Sequence, residues 1–235
     1  MRQVKHCDAR LTVVGGFVRP GAVLADVGTD HAWLPITLLR EGKITSAIAS
    51  DIHKGPIANA NANIAAAGLT DRIRTICCDG VAPLAAYSPT DIVIAGMGGM
   101  LICEILAAAP FVRDSRIRLI LQPMRDADAV RRYLVGAGFA ILDEALSADD
   151  EKLYEVIVAE YTGAPTTLSP LAALLGPCIM KHADAPLLQQ KLAKLRRTLH
   201  VRVTALAAAN KPDASLAALL AELEDFCAAH CKTGD

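Results

Sequence analysis

A doubly wound α/β sheet followed by a helical hairpin is the architecture this sequence predicts, on three observations. Short apolar runs alternate with helical patterns from Val23 to Ala137, the signature of crossover units feeding a parallel sheet. Four of those runs stop at a carboxylate or a glycine: LADVGTD with Asp26, AIASD at Asp51, ICCDG at Asp79, and DIVIAG at Gly96. Beyond Gly163-Ala164-Pro165 strand character ends, and leucines recur at three- and four-residue steps. The C-termini of parallel strands share one edge, and ligands bind in the crevice outside it. The four stops are therefore expected to surround one pocket.

Val23–Val27 reads as the first strand, Leu34–Arg40 as a short helix that tolerates Pro35 in its first turn, and Ala47–Ser50 as the second strand. Pro56–Ala67 reads as a helix closed by Gly68, followed by strands Ile73–Cys77 and Asp91–Ala95. Helix Met100–Ala108, strand Arg118–Leu121 and helix Ala127–Ala137 complete the alternation before Gly138. FAILDEAL and YEVIVAEY, flanking the acidic turn SADDEK, read as a hairpin at a sheet edge. Two antiparallel helices then share a seam, one carrying Leu188, Leu192, Leu195, Leu199, Val203 and Leu206, the other Leu216, Leu219, Leu220, Leu223 and Cys227. The expected division is a sheet domain over residues 1–162 and a helical coiled-coil hairpin over 163–235.

A chain of 235 residues with 53% hydrophobic content can bury a full core. Its net charge of -1 hides a basic stretch, since Lys181 to Arg202 carries six Lys/Arg against Asp184 alone. Seven scattered cysteines without a CxxC pair suit free thiols in a reducing compartment and argue against a zinc site, so no metal is expected. MRQVKHCDARL has no apolar core of signal-peptide length, and no run reaches roughly 18 uncharged apolar residues. The expectation is a cytoplasmic protein with no membrane contact, a monomer or a weak homo-oligomer.

Only Gly28 stands where a dinucleotide fingerprint needs three glycines, and Asp30 would repel a pyrophosphate at that helix start. Nicotinamide and flavin cofactors are disfavoured. Asp26 and Asp30 suit a ligand bearing cationic groups, such as the ammonium and sulfonium of S-adenosylmethionine (AdoMet). Asp51, 25 positions after Asp26, stands where an acid accepts from both ribose hydroxyls, and Asp79 can accept from an adenine amine. Each residue also has a plain structural reading: Asp30 as an N-cap, Asp79 as a turn former with Gly80, Asp51 as the start of a loop, His31 as a hydrogen-bonded turn residue. Trp33, Cys77, Cys78 and Cys103 read most simply as core. The combination is more specific than any part.

Taken in order and spacing, LADVGTDHAWLP, ASDIHKGPIANANANI, DRIRTICCDG, DIVIAGMGG, LILQPM and KLYEVIVAEY resemble the bacterial tRNA (adenine-22-N1)-methyltransferase family over roughly Arg10 to Tyr161. The tail with its LLGP segment (Leu174–Pro177) is similar to that family's C-terminal coiled coil. The resemblance implies a class I AdoMet-dependent (Rossmann-like) methyltransferase, a seven-stranded sheet with the last strand antiparallel, and methylation of N1 of an adenine in the tRNA D-loop. It implies a cofactor site at Asp26, Gly28, Thr29, Asp30, Asp51, Ile52, Asp79, Gly80, Ala95, Gly96 and Met97. Around the target base it implies Arg10, His31, Asn63, Gly98 and Gln122. By their chemistry, Trp33 or Met97 can pack on that base and His31 or Gln122 can bond its edge. Asp30 and His31 are the catalytic candidates. In the tail, Lys191, Lys194, Arg196, Arg197 and Arg202 read equally as a solvated face opposite the leucine stripe and as cations placed to grip a tRNA backbone. The Asn-Pro-Pro-aromatic motif of many amino-group methyltransferases is absent after the fourth strand, where Gly96-Met97-Gly98-Gly99 stands, so a mechanism resting on it is excluded. Two other readings remain: the same fold acting on a small molecule or protein, and a non-catalytic RNA-binding module whose working surface is the hairpin.

Overall fold

The computed structural model describes residues 7–149, 152–182 and 186–230; Asp150 and Glu151 of the expected acidic turn, and Asp184, lie outside them. Strands β1 (Ala22–Val27), β2 (Ile44–Asp51), β3 (Ile73–Cys77), β4 (Asp91–Gly98), β5 (Arg118–Arg125), β6 (Phe139–Asp149) and β7 (Lys152–Tyr161) form one sheet in the order β3-β2-β1-β4-β5-β7-β6. The first five are parallel, and β7 runs antiparallel to both β5 and β6. The hairpin thus closes the sheet at one edge, with its second strand inserted inside its first. Strand order reverses between β1 and β4, which makes their C-terminal ends the topological switch point.

Helices cover both faces, as the continuous apolar strands require. Ile92, Val93 and Ile94 of β4 are all fully buried. One face packs on α1 (Ala9–Phe17), α2 (Trp33–Arg40) and α3 (Lys54–Ala67), the other on α4 (Gly99–Ala107) and α5 (Ala127–Gly136). The sequence did not predict α1, whose stretch LTVVGGF is rich in glycine and β-branched residues of low helix propensity. Tertiary packing overrides that. Asp8 caps the helix by accepting from the Leu11 N–H at 2.7 Å, and Gly15 lets Leu34 and Leu38 of α2 press against its backbone, where an added Cβ would lie 3.1 and 3.3 Å from them.

Beyond β7, α6 (Pro170–Leu175) is capped by the Ser169 hydroxyl, and α7 (Pro186–Ala208) and α8 (Ala214–His230) form the expected hairpin. Leu188, Leu192, Leu199, Leu220, Leu223 and Cys227 are buried in its seam, with Leu171 and Leu175 of α6 beside them and Leu146 of β6 packed against the cluster.

An ionic cluster joins this hairpin to the sheet. Arg131 of α5 is fully buried and donates to Glu144 of β6 at 2.6 Å, to Glu155 of β7 at 2.5 Å and to the Ala173 carbonyl at 3.0 Å. Lys191 of α7 is 3% exposed and donates to Glu155 and to the Leu175 carbonyl, both at 2.7 Å. Glu144 also accepts from the Cys178 N–H at 2.8 Å. Burial pulls the Lys191 ammonium down to about 8 against the pull of Glu155. Burial also opposes ionisation of Glu155, but Arg131 and Lys191 outweigh it and hold its carboxyl below the usual range.

Candidate functional site

The end of β1 turns sharply at Gly28, whose φ of +78° lies in the left-handed region that glycine enters without steric cost. Gly28 and Thr29 both donate their N–H to the Ser50 carbonyl at 2.8 Å, which ties the turn to β2. The buried Thr29 hydroxyl accepts from the Ala32 N–H at 3.1 Å. Ala32 itself has a φ of +55°, a conformation that costs a non-glycine residue roughly 1–2 kcal/mol. From α3, Asn63 donates to the His31 carbonyl at 3.0 Å and clasps the strained turn from the other side. His31 and Trp33 are thereby held with ring centroids 6.0 Å apart, and His31 lies 3.2 Å from the exposed Asp30 carboxylate. A cavity of about 120 Å³ opens between this turn and Arg10 on α1, with Asp26 and Ala95 in its wall.

Asp26 is the most perturbed group of the cleft. Burial pushes its carboxyl up to about 6, against the hydrogen bond of Thr29 and the charge of Arg10, which lower it by less. Arg10 is drawn elsewhere: it donates to the Gln122 side-chain oxygen at 2.7 Å, and its guanidinium lies 5.8 Å from the centroid of the Tyr154 ring on β7. Gln122 also accepts from the Gly96 N–H at 3.0 Å and donates to the Pro123 carbonyl at 2.9 Å. This corrects one expectation. Gln122 is fully buried and both ends of its amide are engaged, so it positions Arg10 and Gly96 and does not reach a base edge. Tyr154 carried no sequence signal, because its role depends on α1 and β7 meeting.

The end of β2 contributes Asp51, whose side chain is 14% exposed. The two bonds it accepts from His53, at 2.7 and 3.2 Å, both fall on Oδ1. Ile52 beside it is an exposed apolar side chain, and Cys78 N–H donates to the Asp51 carbonyl at 3.0 Å, which brings the exposed Asp79 and the half-buried Gly80 to the same edge. At the end of β4, Met97 folds across Gly28: an added Cβ there would lie 2.1 Å from its methyl group. Ala95, Gly96 and Gly98 follow the same edge. Burial raises the thiols of Cys78 and Cys103, the latter to about 11, so both behave as core groups and not as nucleophiles.

Cavity size alone does not select this site. A cavity of about 350 Å³ lies at the opposite sheet edge between Ala85 and Ile117, but its charged groups, Asp114 and Arg116, are paired to each other. The basic tail residues divide. Lys194, Arg196, Arg197 and Arg202 are exposed on α7, whereas Lys191 is sealed in the ionic cluster and cannot meet a phosphate. That corrects the sequence reading of Lys191. No helix among the described residues is long and apolar enough to cross a membrane.

The methyltransferase-domain family matches residues 7–157 of this chain. A Bacillus subtilis (strain 168) protein, tRNA (adenine(22)-N(1))-methyltransferase, is 35% identical over 193 residues, covering 80% of this chain and 81% of the relative. The solved structure of a B. subtilis m1A22 tRNA methyltransferase is similar with a TM-score of 0.79 and 31% identity, covering 93% of this chain and 94% of that one. A candidate tRNA (m1A22) methyltransferase of Streptococcus pneumoniae, solved with S-adenosyl-L-methionine, is similar with a TM-score of 0.81 and 33% identity over 93% of this chain and 98% of that one.

Proposed function

We infer the function from one premise: this chain belongs to the family of tRNA (adenine(22)-N(1))-methyltransferases. It is an AdoMet-dependent enzyme that transfers a methyl group to N1 of an adenine, position 22, in tRNA. The observation that carries the reading is Asp26, a carboxylate buried at the switch point with too little positive charge around it to stay ionised easily. A cationic ligand group supplies what is missing, and the ammonium of a methionine tail suits it. Asp51, with an oxygen turned from His53, suits ribose hydroxyls, and Asp79 an adenine amine. In this reading the cofactor lies along Asp26, Gly28, Thr29, Asp30, Asp51, Ile52, Asp79, Gly80, Ala95, Gly96 and Met97. When bound, AdoMet supplies a methyl group activated by its sulfonium.

The residues left to the target base are Arg10, His31, Trp33, Asn63 and Gly98. Adenine N1 has an in-plane lone pair and needs no deprotonation before it attacks, so alignment supplies most of what the site must provide. N1 lies on the pairing edge, and a paired or stacked adenine must be extruded at a cost of about a few kcal/mol. The held turn at Ala32 presents His31 and Trp33 to receive it. Methylation leaves a cationic adenine, and the exposed Asp30 is placed to stabilise it or to accept an exocyclic-amine proton. The sheet unit over 1–162 performs the chemistry, and the hairpin over 163–235 grips the tRNA backbone through Lys194, Arg196, Arg197 and Arg202.

The test is transfer from labelled AdoMet to total bacterial tRNA lacking the modification, with nucleoside analysis and mapping. N1-methyladenosine at position 22 is the expected product. AdoMet binding without transfer to tRNA would overturn the acceptor, and absence of AdoMet binding would overturn the site.

A further inference from the structure

The lip of the cleft on the β4 and β5 side carries side chains that neither the cofactor nor the target base uses. Met124 and Arg125 end β5, and Met100 and Leu101 open α4; all four are exposed, the three apolar ones by 50, 57 and 48% in the order Met124, Met100, Leu101. The two segments are locked together. Gly98 pairs with Arg125, and at Gly99 an added Cβ would lie 2.4 Å from the Asp126 carbonyl oxygen and 2.9 Å from that of Arg125, so only glycine lets the backbones approach this closely. Arg125 is 81% exposed and its ion pair with Asp126 is loose, at 3.6 Å, which leaves the guanidinium free to exchange partners. Here exposed apolar side chains gather on two adjoining segments at the C-terminal ends of β4 and β5, beside a cation.

We propose that this lip contacts the nucleotides flanking the target: Met124, with Met100 and Leu101 on the adjoining segment, fills the gap in the base stack that the extruded adenine leaves, and Arg125 pairs with a neighbouring phosphate. The proposal rests on the reading of the cleft as the seat of an extruded adenine. Apolar wedges are how proteins hold nucleic-acid bases unstacked, and an arginine at the edge of the wedge fixes the backbone in register. The polarisable, flexible thioether of Met124 suits a contact with whichever base is adjacent. A smooth protein surface there would leave the vacated stack open to collapse back on the adenine.

The test uses the full chain and tRNA carrying 2-aminopurine at the target position, read by fluorescence on binding, together with methyl transfer to ordinary unmodified tRNA. Met124→Ala is expected to reduce the fluorescence rise and to lower kcat/KM by roughly ten-fold, the size of one lost stacking contact, while Met124→Leu retains both. Arg125→Ala is expected to weaken tRNA binding and to reduce the slope of log affinity against log salt by about one, with Arg125→Lys near wild type. AdoMet affinity should be unchanged throughout, since none of these side chains is among the residues assigned to the cofactor. Alanine variants that keep the wild-type fluorescence rise, kcat/KM and salt slope overturn the lip alone. A wild-type chain that binds AdoMet yet leaves tRNA unmethylated overturns the reading on which it rests.

Discussion

Asp26 and Glu155 are carboxylates drawn into the interior from strands of the same sheet, yet their surroundings push them in opposite directions. Glu155 has Arg131 and Lys191 against it and is held below the usual carboxyl range. Asp26 has the hydrogen bond of Thr29 and, as its one named cation, Arg10, which is itself tied to Gln122, and burial outweighs both and lifts it to about 6. The difference separates structure from function. A saturated ionic cluster has nothing left to offer a ligand, whereas a buried acid short of cations gains most when a ligand brings one.

Breaking the saturated side should have the largest effect. Arg131→Met leaves Glu144 buried without its cation and Glu155 with Lys191 alone, and urea denaturation is expected to show a loss of about 3–5 kcal/mol. A loss below about 1 kcal/mol would show that the cluster does not hold the hairpin to the sheet.

Asp26→Asn should act in the opposite sense. An acid raised from 3.8 to about 6 by folding binds its proton more tightly in the native state, so its contribution favours the fold at low pH and is lost as pH rises through about 6. At pH 7.5 the asparagine variant is therefore expected to be more stable, by up to about 3 kcal/mol, with the difference vanishing towards pH 4. Calorimetry should show AdoMet binding weakened roughly ten- to hundred-fold, the worth of a hydrogen bond to a charged group. Wild-type AdoMet affinity should likewise fall as pH drops below about 6. A variant that gained stability and kept its affinity would disprove the link between the missing cation and the ligand.

The two kinds of lysine on α7 sharpen the same contrast. Reversing Lys194 and Arg197 to glutamate should change stability by no more than about 0.5 kcal/mol while weakening tRNA binding and flattening its salt dependence. Unchanged tRNA affinity would remove the hairpin's basic face from the binding surface. Asp30→Asn should have the smallest effect on the fold, since the side chain is exposed; its turnover at saturating AdoMet is expected to drop. Full turnover would remove the electrostatic role assigned to it.

The strand ends were legible because their signals are local. Apolar runs stopping at Asp26, Asp51, Asp79 and Gly96 each announce themselves within a few residues, and the parallel arrangement brings them to one edge. The leucine spacing of the tail likewise yields a seam without knowledge of its neighbours. Helix α1 is not legible in the sequence because its formation depends on Leu34 and Leu38 packing against Gly15, and the meeting of Arg10 with Tyr154 depends on that helix.

The chain by itself determined the alternation of strands and helices, the edge at which the strands ending in a carboxylate or glycine meet and the residue types offered there, since backbone propensity, hydrophobic period and turn chemistry act over a few residues. Only the tertiary structure decided what each polar side chain faces. Lys191 and Lys194 are three positions apart on one helix, but one is enclosed with Glu155 and the other stands in water. Gln122 follows an apolar strand like any exposed strand-end amide, yet its bonds to Arg10, Gly96 and Pro123 seal it inside. Burial and charge pairing arise from segments far apart in sequence, and the energy of a charge is set by those neighbours and not by its place in the chain.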